Sequence, residues 1–215
     1  MKKFLLLLLL IVGLHATDFS GSFLVGYNSG PGFELNGRIG NFAEGFPLEI
    51  QLALDYAGLN PGNAADARRI FVNNATNGDP EKSGHIWEFR FDFLYQVSWL
   101  NMKYAYLSIG PRYSRFASNF KFIGGNEDFD VVSNQWGLGT GMNAYFHISS
   151  KYYLALLGGI DYYFANDLSG HDTTYRTDGE HINPREQYGY RDADKAIYQP
   201  KVQLRMMIGI SYKLN

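Results

Sequence analysis

Residues 46–56 read FPLEIQLALDY, and residues 201–214 read KVQLRMMIGISYKL. In both stretches every second residue is apolar or aromatic, and most of the residues between them are polar, charged or small. Successive side chains of a β-strand point to opposite faces, so a period of two predicts strands with one apolar and one polar face. The sequence therefore predicts an all-β protein.

The same alternation recurs along the rest of the chain. It is clear at 87–97 and 135–146, and weaker at 19–28, 33–40, 102–113 and 152–164. The total is eight strands of about 8 to 14 residues, which brackets the roughly 9 to 11 residues that a tilted strand needs to cross a bilayer. Soluble strands are typically shorter, about 5 or 6 residues.

The charged residues decide which face of each strand points to lipid. Arg90, Asp92, Arg205 and Glu49 all lie on the polar faces. An arginine that faces lipid at mid-membrane costs about 2 to 4 kcal/mol, so these side chains must point into the barrel. The fold class predicted is an eight-stranded antiparallel up-and-down transmembrane β-barrel.

The lengths of the connections support this topology. If the chain starts at the inner side of the membrane, the inner connections are residues 41–45, 98–101 and 147–151, and all three are short. The outer connections are residues 29–32, 57–84, 114–134 and 165–200, and three of these four are long. Outer-membrane barrels have short periplasmic turns and long outer loops.

The N-terminal stretch MKKFLLLLLLIVGLHA is expected to be a secretory signal peptide. Lys2 and Lys3 precede an apolar run of about eleven residues, and Ala16 closes it. That run is shorter than the roughly 20 residues of a membrane-spanning helix. We therefore expect a signal peptide at 1–16 and one outer-membrane β-barrel domain at 17–215. Because the sequence contains no cysteine, its stability must come from packing and backbone pairing.

Charge and composition exclude some classes of partner. The formal net charge is −2, whereas a nucleic-acid-binding protein is expected to carry a basic patch, so no nucleic-acid partner is predicted. Eight strands enclose an interior just wide enough for side chains to fill it, so an open diffusion pore is not expected either.

The inward charges form a predicted lumen network of salt bridges. A tight turn around residues 43–44 places Arg38 opposite Glu49, and a turn centred near Leu100 places Glu88 opposite Arg112. Asp161 and Arg205 are expected at similar heights on strands seven and eight. The predicted network comprises Arg38, Glu49, Glu88, Arg90, Asp92, Arg112, Asp161 and Arg205. A path for protons or ions through Glu88, Arg90, Asp92 and Arg205 is the alternative to a purely structural role.

With its signal peptide, eight alternating strands, the segment WGLGTGMNAYF and the terminal strand IGISYKLN, the chain resembles small outer-membrane barrels of the OmpA-domain, OmpX and opacity-protein type. The resemblance implies a bacterial outer-membrane location, contact with outer-membrane lipid and lipopolysaccharide, and insertion by the barrel-assembly machinery. Such barrels usually end on an aromatic residue, whereas this chain ends on Tyr212, Lys213, Leu214 and Asn215.

The function expected from this resemblance is structural, or surface recognition by adhesion or ligand binding through long outer loops. The last loop contains residue types that are favoured in binding surfaces: Tyr175, Arg176, Arg185, Tyr188, Tyr190 and Arg191. An extracellular ligand is therefore a possible partner. No catalytic residue, cofactor or metal ligand is predicted.

Three alternatives stay open at this stage. The segment His147-Ile148-Ser149 resembles the His-x-Ser of lipid A deacylases, with Asp161 as an orienting acid, although it falls at an inner turn. Oxygen-rich outer loops offer candidate cation ligands without a recognised spacing: His171, Asp172, Asp178, Glu180, His181, Asp192 and Asp194. A secreted lipocalin-like barrel would reverse the two faces of every strand.

Overall fold

A computed structural model of the protein describes residues 18–41, 45–71, 81–98, 102, 104–121, 128–172, 181–182 and 194–214. The predicted signal peptide lies outside these residues. The elements are β1 (Asp18–Asn28), β2 (Pro31–Gly40), β3 (Leu48–Leu59), α1 (Ala64–Phe71), β4 (Glu81–Val97), β5 (Ala105–Lys121), β6 (Asp128–His147), β7 (Tyr152–Tyr163), β8 (Ser169–Asp172), β9 (His181–Ile182) and β10 (Val202–Lys213).

Eight of these strands form a closed antiparallel barrel. Each strand from β1 to β6 pairs with the next, β7 pairs with β10, and β10 pairs back with β1. The first and last strands therefore share a full ladder, from Ser20 opposite Lys213 to Asn28 opposite Arg205. Closure removes the free sheet edges, which is the arrangement a membrane requires of strands. The predicted fold class is confirmed.

The outer wall of the barrel is apolar, and its side chains are exposed. Met206 is 72 % exposed and Ile109 is 62 % exposed, whereas the inward neighbours Met207 and Ser108 are buried. Soluble monomers rarely leave a contiguous apolar surface of more than a few hundred Å² in water. A continuous belt of such residues around a closed barrel fits a lipid environment. Helices of the described residues are too short or too polar to cross a membrane.

Aromatic side chains mark the two edges of this belt. Near the outer edge, the Tyr56 ring lies 5.6 Å from that of Phe33 and 5.0 Å from that of Trp87, and Tyr113 contacts Trp136 at 5.1 Å. At the inner edge, other aromatic rings meet, including a pair between the last two barrel strands. Such girdles lie at the two interfaces of transmembrane barrels.

The strands β4, β5 and β6 extend well past the outer girdle. The sequence predicts that strand five ends at Tyr113 and that residues 114–134 form a loop, but β5 continues to Lys121 and β6 already begins at Asp128. Part of the predicted loop 57–84 is likewise strand and helix. Within the predicted loop 165–200, β8 pairs with β6, and β9 pairs with β8. These loop predictions were wrong in extent.

The cause is an inversion of polarity where the wall leaves the membrane. Beyond Tyr113 the period of two continues, but large apolar residues now occupy part of the inward face, as at Phe116 and Phe120, while Arg115 on the outer face is exposed. Outside lipid, water faces the outer wall and the interior packs as a soluble core. A strand prediction that requires apolar residues on the outward face therefore ends each strand at the edge of the membrane.

Candidate functional site: an ion network inside the barrel

The first part of the site is built around Arg90 on β4. Its inward guanidinium contacts Glu34 of β2 at 2.5 Å and also pairs with Asp55 of β3. All three side chains are fully buried. Because a buried ion without a partner costs several kcal/mol, the loss of any one of these three side chains would leave an uncompensated buried charge.

Arg112 on β5 is the centre of a second group. Its Nη1 lies 2.8 Å from Asp92 Oδ1, and its Nε donates to Asp161 Oδ1 at 2.6 Å. Nη1 also donates to the carbonyl oxygen of Gly110 at 3.2 Å. Arg112 thus connects β4 with β7 across the lumen, and the side chains of Asp92, Arg112 and Asp161 are all buried.

Two further side chains complete the network. Arg205 on β10 approaches the Glu34 carboxylate at 3.4 Å, so that Glu34 is shared by two arginines. Glu88 on β4 accepts hydrogen bonds from the Asn28 amide and the Tyr163 hydroxyl. Neutral donors therefore replace an arginine at this carboxylate.

The pairs predicted from turn positions need correction. Glu88 lies opposite Ser114, and Arg112 lies opposite Arg90. Asp161 lies opposite Gln203 and pairs with Arg112 instead of Arg205. The predicted β4–β5 register is shifted by two residues because the inner turn was centred too early. A shift of two keeps every side chain on its face and changes only its partners.

Arg38 and Glu49 make the predicted contact in a different register. Arg38 lies opposite Gln51, yet its Nε reaches Glu49 Oε2 at 3.4 Å. The long side chains bridge the two-residue offset between the strands. This pair lies near the inner end of the lumen, below the network of Arg90 and Arg112.

Sequence reasoning did not include Glu34, Asp55, Asn28 or Tyr163 among the site residues. The signal for two of them was present, because Glu34 has the same parity as Arg38 on β2 and Asp55 the same parity as Glu49 on β3. An inward parity at an acidic residue would have been enough to include both. Tyr163 was at the end of a weakly alternating strand, where parity is less informative.

The network is enclosed above and below by apolar side chains. On the outer side lies a buried cluster formed by Ala64, Ala67, Phe116, Phe120, Phe129, Val131, Leu168, Ala196 and Ile197. On the inner side lies a second cluster formed by Leu24, Leu94, Tyr106, Tyr145, Ala155, Leu157 and Met207. We call them the outer cap and the inner plug. They separate the charged layer from both openings of the barrel.

Within the described residues, the charged layer contains more carboxylates than arginines. The carboxylates are Glu34, Asp55, Glu88, Asp92 and Asp161, and the arginines are Arg90, Arg112 and Arg205. Desolvated charges of this kind are stable only where ion pairs and hydrogen bonds compensate them. Each of these side chains has at least one ion-pair or hydrogen-bond partner, and all of them are buried, so the layer leaves no wide aqueous path.

The candidate catalytic residues are not brought together. The imidazole of His147 packs against Tyr153 at 5.4 Å, and Ser149 lies in the tight turn before β7. Asp161 is committed to Arg112 in the lumen. The geometry required for a nucleophile, a base and an orienting acid is therefore missing from this set.

The candidate metal ligands and the loop recognition residues lie largely outside the described structure. This applies to the side chains of His171, Asp172, Asp178, Glu180, His181, Asp192, Tyr175, Arg176, Arg185, Tyr188, Tyr190 and Arg191. Asp194 is described, and it pairs with Lys201. Among the described residues, no group of three or more His, Asp or Glu side chains is placed to hold a metal ion.

Comparison with known proteins bears on the fold. No protein-family model and no curated protein matches the chain. A major outer membrane protein from Thermus thermophilus has a similar structure, with a TM-score of 0.77 and 23 % identity over 92 % of this chain and 98 % of that one.

Two further solved structures match with lower scores. Neisserial surface protein A has a TM-score of 0.41 and 11 % identity, over 92 % of this chain and 96 % of that one. CarO from Acinetobacter baumannii has a TM-score of 0.37 and 11 % identity, over 93 % of this chain and 98 % of that one.

The closed ring of eight strands, the exposed apolar belt and the polar lumen define an outer-membrane β-barrel. The similarity to the Thermus protein supports the same fold.

Proposed function

We propose that this protein is a non-porous, non-catalytic outer-membrane barrel that anchors a surface-exposed recognition structure. The observation that carries the proposal is the charged layer enclosed between the outer cap and the inner plug. An eight-stranded barrel has room for side chains and little else. With an apolar cluster on each side of the charged layer, the barrel is suited to anchoring and not to passive diffusion.

The recognition role is supported by the outer extension of β4, β5 and β6. On β5, Lys121 lies eight residues beyond the girdle residue Tyr113. At about 3.3 Å per residue, that is roughly 25 Å of strand. Its interior is packed by the outer cap, so the extension is a folded support and not a loose loop.

This support carries the segments in which the recognition residues lie. Strand β8 pairs with β6, and β9 pairs with β8; the two short strands come directly before and after residues 173–180 in the chain, which include Tyr175 and Arg176. Tyrosine and arginine are enriched at the energetic centres of protein interfaces. An extracellular ligand is the proposed partner at this end, with lipid and lipopolysaccharide around the barrel wall and the barrel-assembly machinery acting during insertion.

The orientation is testable because the chain contains no cysteine. Asn119→Cys introduces a thiol on the outer extension, and Ser150→Cys introduces one at the inner turn. A membrane-impermeant maleimide applied to intact cells is expected to label the first variant and to label the second only after lysis. Labelling of the second variant on intact cells, without labelling of the first, would overturn the topology and with it the recognition role.

The recognition role itself needs a binding measurement. The refolded protein is applied to an array of secreted and cell-surface proteins, beside a variant in which Tyr175, Arg176, Tyr188 and Tyr190 are alanine. We expect one or more ligands to be lost from the variant with unchanged thermal stability. If the parent and the variant give the same array pattern, these residues are not the binding surface.

A further inference from the structure

At the inner end of the barrel, a cavity of about 140 Å³ opens between the strand ends. Asp18, Asn41 and Lys213 lie at its rim, and Tyr104 and Tyr153 lie along its wall. In the topology predicted from the loop lengths, this end faces the periplasm. Mouths of β-barrels are among the places where small-molecule sites occur.

The cavity is separate from the charged layer that contains Arg90 and Arg112. Its deepest part contains Arg38, whose guanidinium carbon lies 4.8 Å from the Tyr106 ring centre and 4.5 Å from that of Tyr145. Both tyrosines belong to the inner plug. The plug therefore forms a closed floor, and a ligand in this cavity would not reach Arg90 or Arg112.

The charges that line the cavity compensate one another. Arg38 pairs with Glu49 at 3.4 Å, and Lys213 pairs with Asp18 at the rim. Two positive and two negative groups leave no net charge to attract an ion. The cavity thus favours a neutral ligand that takes part in hydrogen bonds.

The remaining lining combines aromatic rings with neutral polar groups. Tyr104 and Tyr153 meet edge to face at 5.6 Å, and Gln96, Ser20 and Ser211 lie around them. A tyrosine offers an apolar ring and a hydroxyl in one side chain. Apolar ring faces combined with hydroxyl and amide groups match a sugar, whose ring has C–H faces and a hydroxyl edge.

The volume limits the size of the ligand. At about 30 Å³ for each water in the liquid, the cavity corresponds to roughly five water molecules. The volume therefore limits a ligand to about one six-membered sugar ring, with its substituents toward the open mouth. We propose that the inner-mouth cavity binds a single neutral pyranose ring, either as a free sugar or as one unit of a glycan on the periplasmic side. This site is independent of the proposed recognition function at the other end.

The test is a titration of the refolded protein in lipid nanodiscs, followed by NMR signals of the tyrosine rings. The probes are N-acetylglucosamine, its β-1,4-linked tetramer and the anionic sugar glucuronate. We expect saturable shifts with the neutral sugars, and at least tenfold weaker binding for Tyr104→Ala. Gln96→Leu, which changes an exposed side chain of the cavity lining, is expected to weaken binding severalfold while the unfolding midpoint stays that of the parent.

Tyr95→Ala is the matched control, because Tyr95 lies near the same end of the barrel but is exposed on the lipid face. Its binding is expected to equal that of the parent. Binding of both the monosaccharide and the tetramer supports a glycan, and binding of the monosaccharide alone supports a free sugar. No saturable shift in the parent, tighter binding of glucuronate, or equal affinities for Gln96→Leu, Tyr104→Ala and Tyr95→Ala would overturn the proposal.

Discussion

Arg90 and Arg112 lie directly opposite each other in the β4–β5 ladder, with both guanidinium groups buried inside the barrel. Like charges facing each other across a ladder destabilise a strand pair. Here each arginine is held by two carboxylates, on the Arg90 side those of Glu34 and Asp55. The stability of this part of the barrel should therefore depend on keeping both groups intact.

Replacing Arg90 by leucine is expected to destabilise the barrel strongly. The change leaves the buried Asp55 without its arginine, and Glu34 loses one of its two arginines. Breaking a buried pair typically costs about 3 to 5 kcal/mol. Arg115→Leu is the control, because Arg115 is an exposed arginine on the neighbouring strand. The free energy of unfolding in urea, measured in lipid vesicles, should fall for Arg90→Leu and change by about 0.5 kcal/mol or less for Arg115→Leu. Similar losses would contradict the assigned network.

Arg205→Leu should cost less than Arg90→Leu and more than Lys201→Leu. Glu34 keeps Arg90 when Arg205 is removed, so the loss is that of one charged hydrogen bond, about 1.5 to 3 kcal/mol. Lys201 pairs with Asp194 at an exposed site, where a pair is worth about 0 to 1 kcal/mol. The same measurement ranks the three variants by their loss in the free energy of unfolding. A loss for Lys201→Leu as large as that for Arg205→Leu would contradict the contacts assigned to Arg205 on β10.

Two glycines provide a matched test of how full the lumen is. A methyl group at Gly139, on the lumen face, would collide with the carboxylate of Asp161 and the guanidinium of Arg112. Gly37 is the control on the outer face of β2, where a methyl group would meet no atom within 4 Å. Overpacking of a filled interior costs about 1 to 3 kcal/mol. We expect Gly139→Ala to lower the free energy of unfolding by about that amount and Gly37→Ala to leave it nearly unchanged. Equal effects would indicate an open lumen.

The outer cap is expected to have a stability of its own. Phe120 and Phe129 stack at 5.2 Å inside the extension, where both are buried. Truncating a buried phenylalanine typically costs about 3 to 5 kcal/mol. Phe120→Ala should expose the extension to limited proteolysis while the membrane-embedded part keeps its heat-modifiable migration on gels. Protection equal to that of the parent would show that the cap does not hold the extension together.

The alternation in the sequence predicts which side chains of each strand point inward. It does not predict which residues of neighbouring strands lie opposite each other. Outward Leu52 and inward Asp55 follow from parity alone, because lipid and lumen impose opposite polarity on alternate residues. The partner of Glu88 depends on where the inner turn is centred, and residues around Leu100 give no strong turn signal. An error of two residues there exchanges Arg112 for Ser114 without moving any side chain to the other face.

The outer extension could not be recognised by the same criterion. Phe116 and Phe120 have the parity of Arg112, so an apolar residue replaces a charged one on the inward face above the membrane. If the outer face of a strand is assumed to contact lipid along its whole length, this reversal is interpreted as the end of the strand. The sequence of residues 64–71 likewise did not predict that this segment packs in the outer cap, because the cap is formed by contacts between segments that are distant in the chain.

We propose that the lumen of this eight-stranded barrel is filled and closed by the ion network, the outer cap and the inner plug. Whether the lumen is closed can be measured as the conductance of the refolded protein in planar lipid bilayers. We expect no appreciable current above that of the protein-free bilayer, because eight strands leave space only for side chains. Reproducible open-channel steps comparable to those of porins would show that the lumen is open.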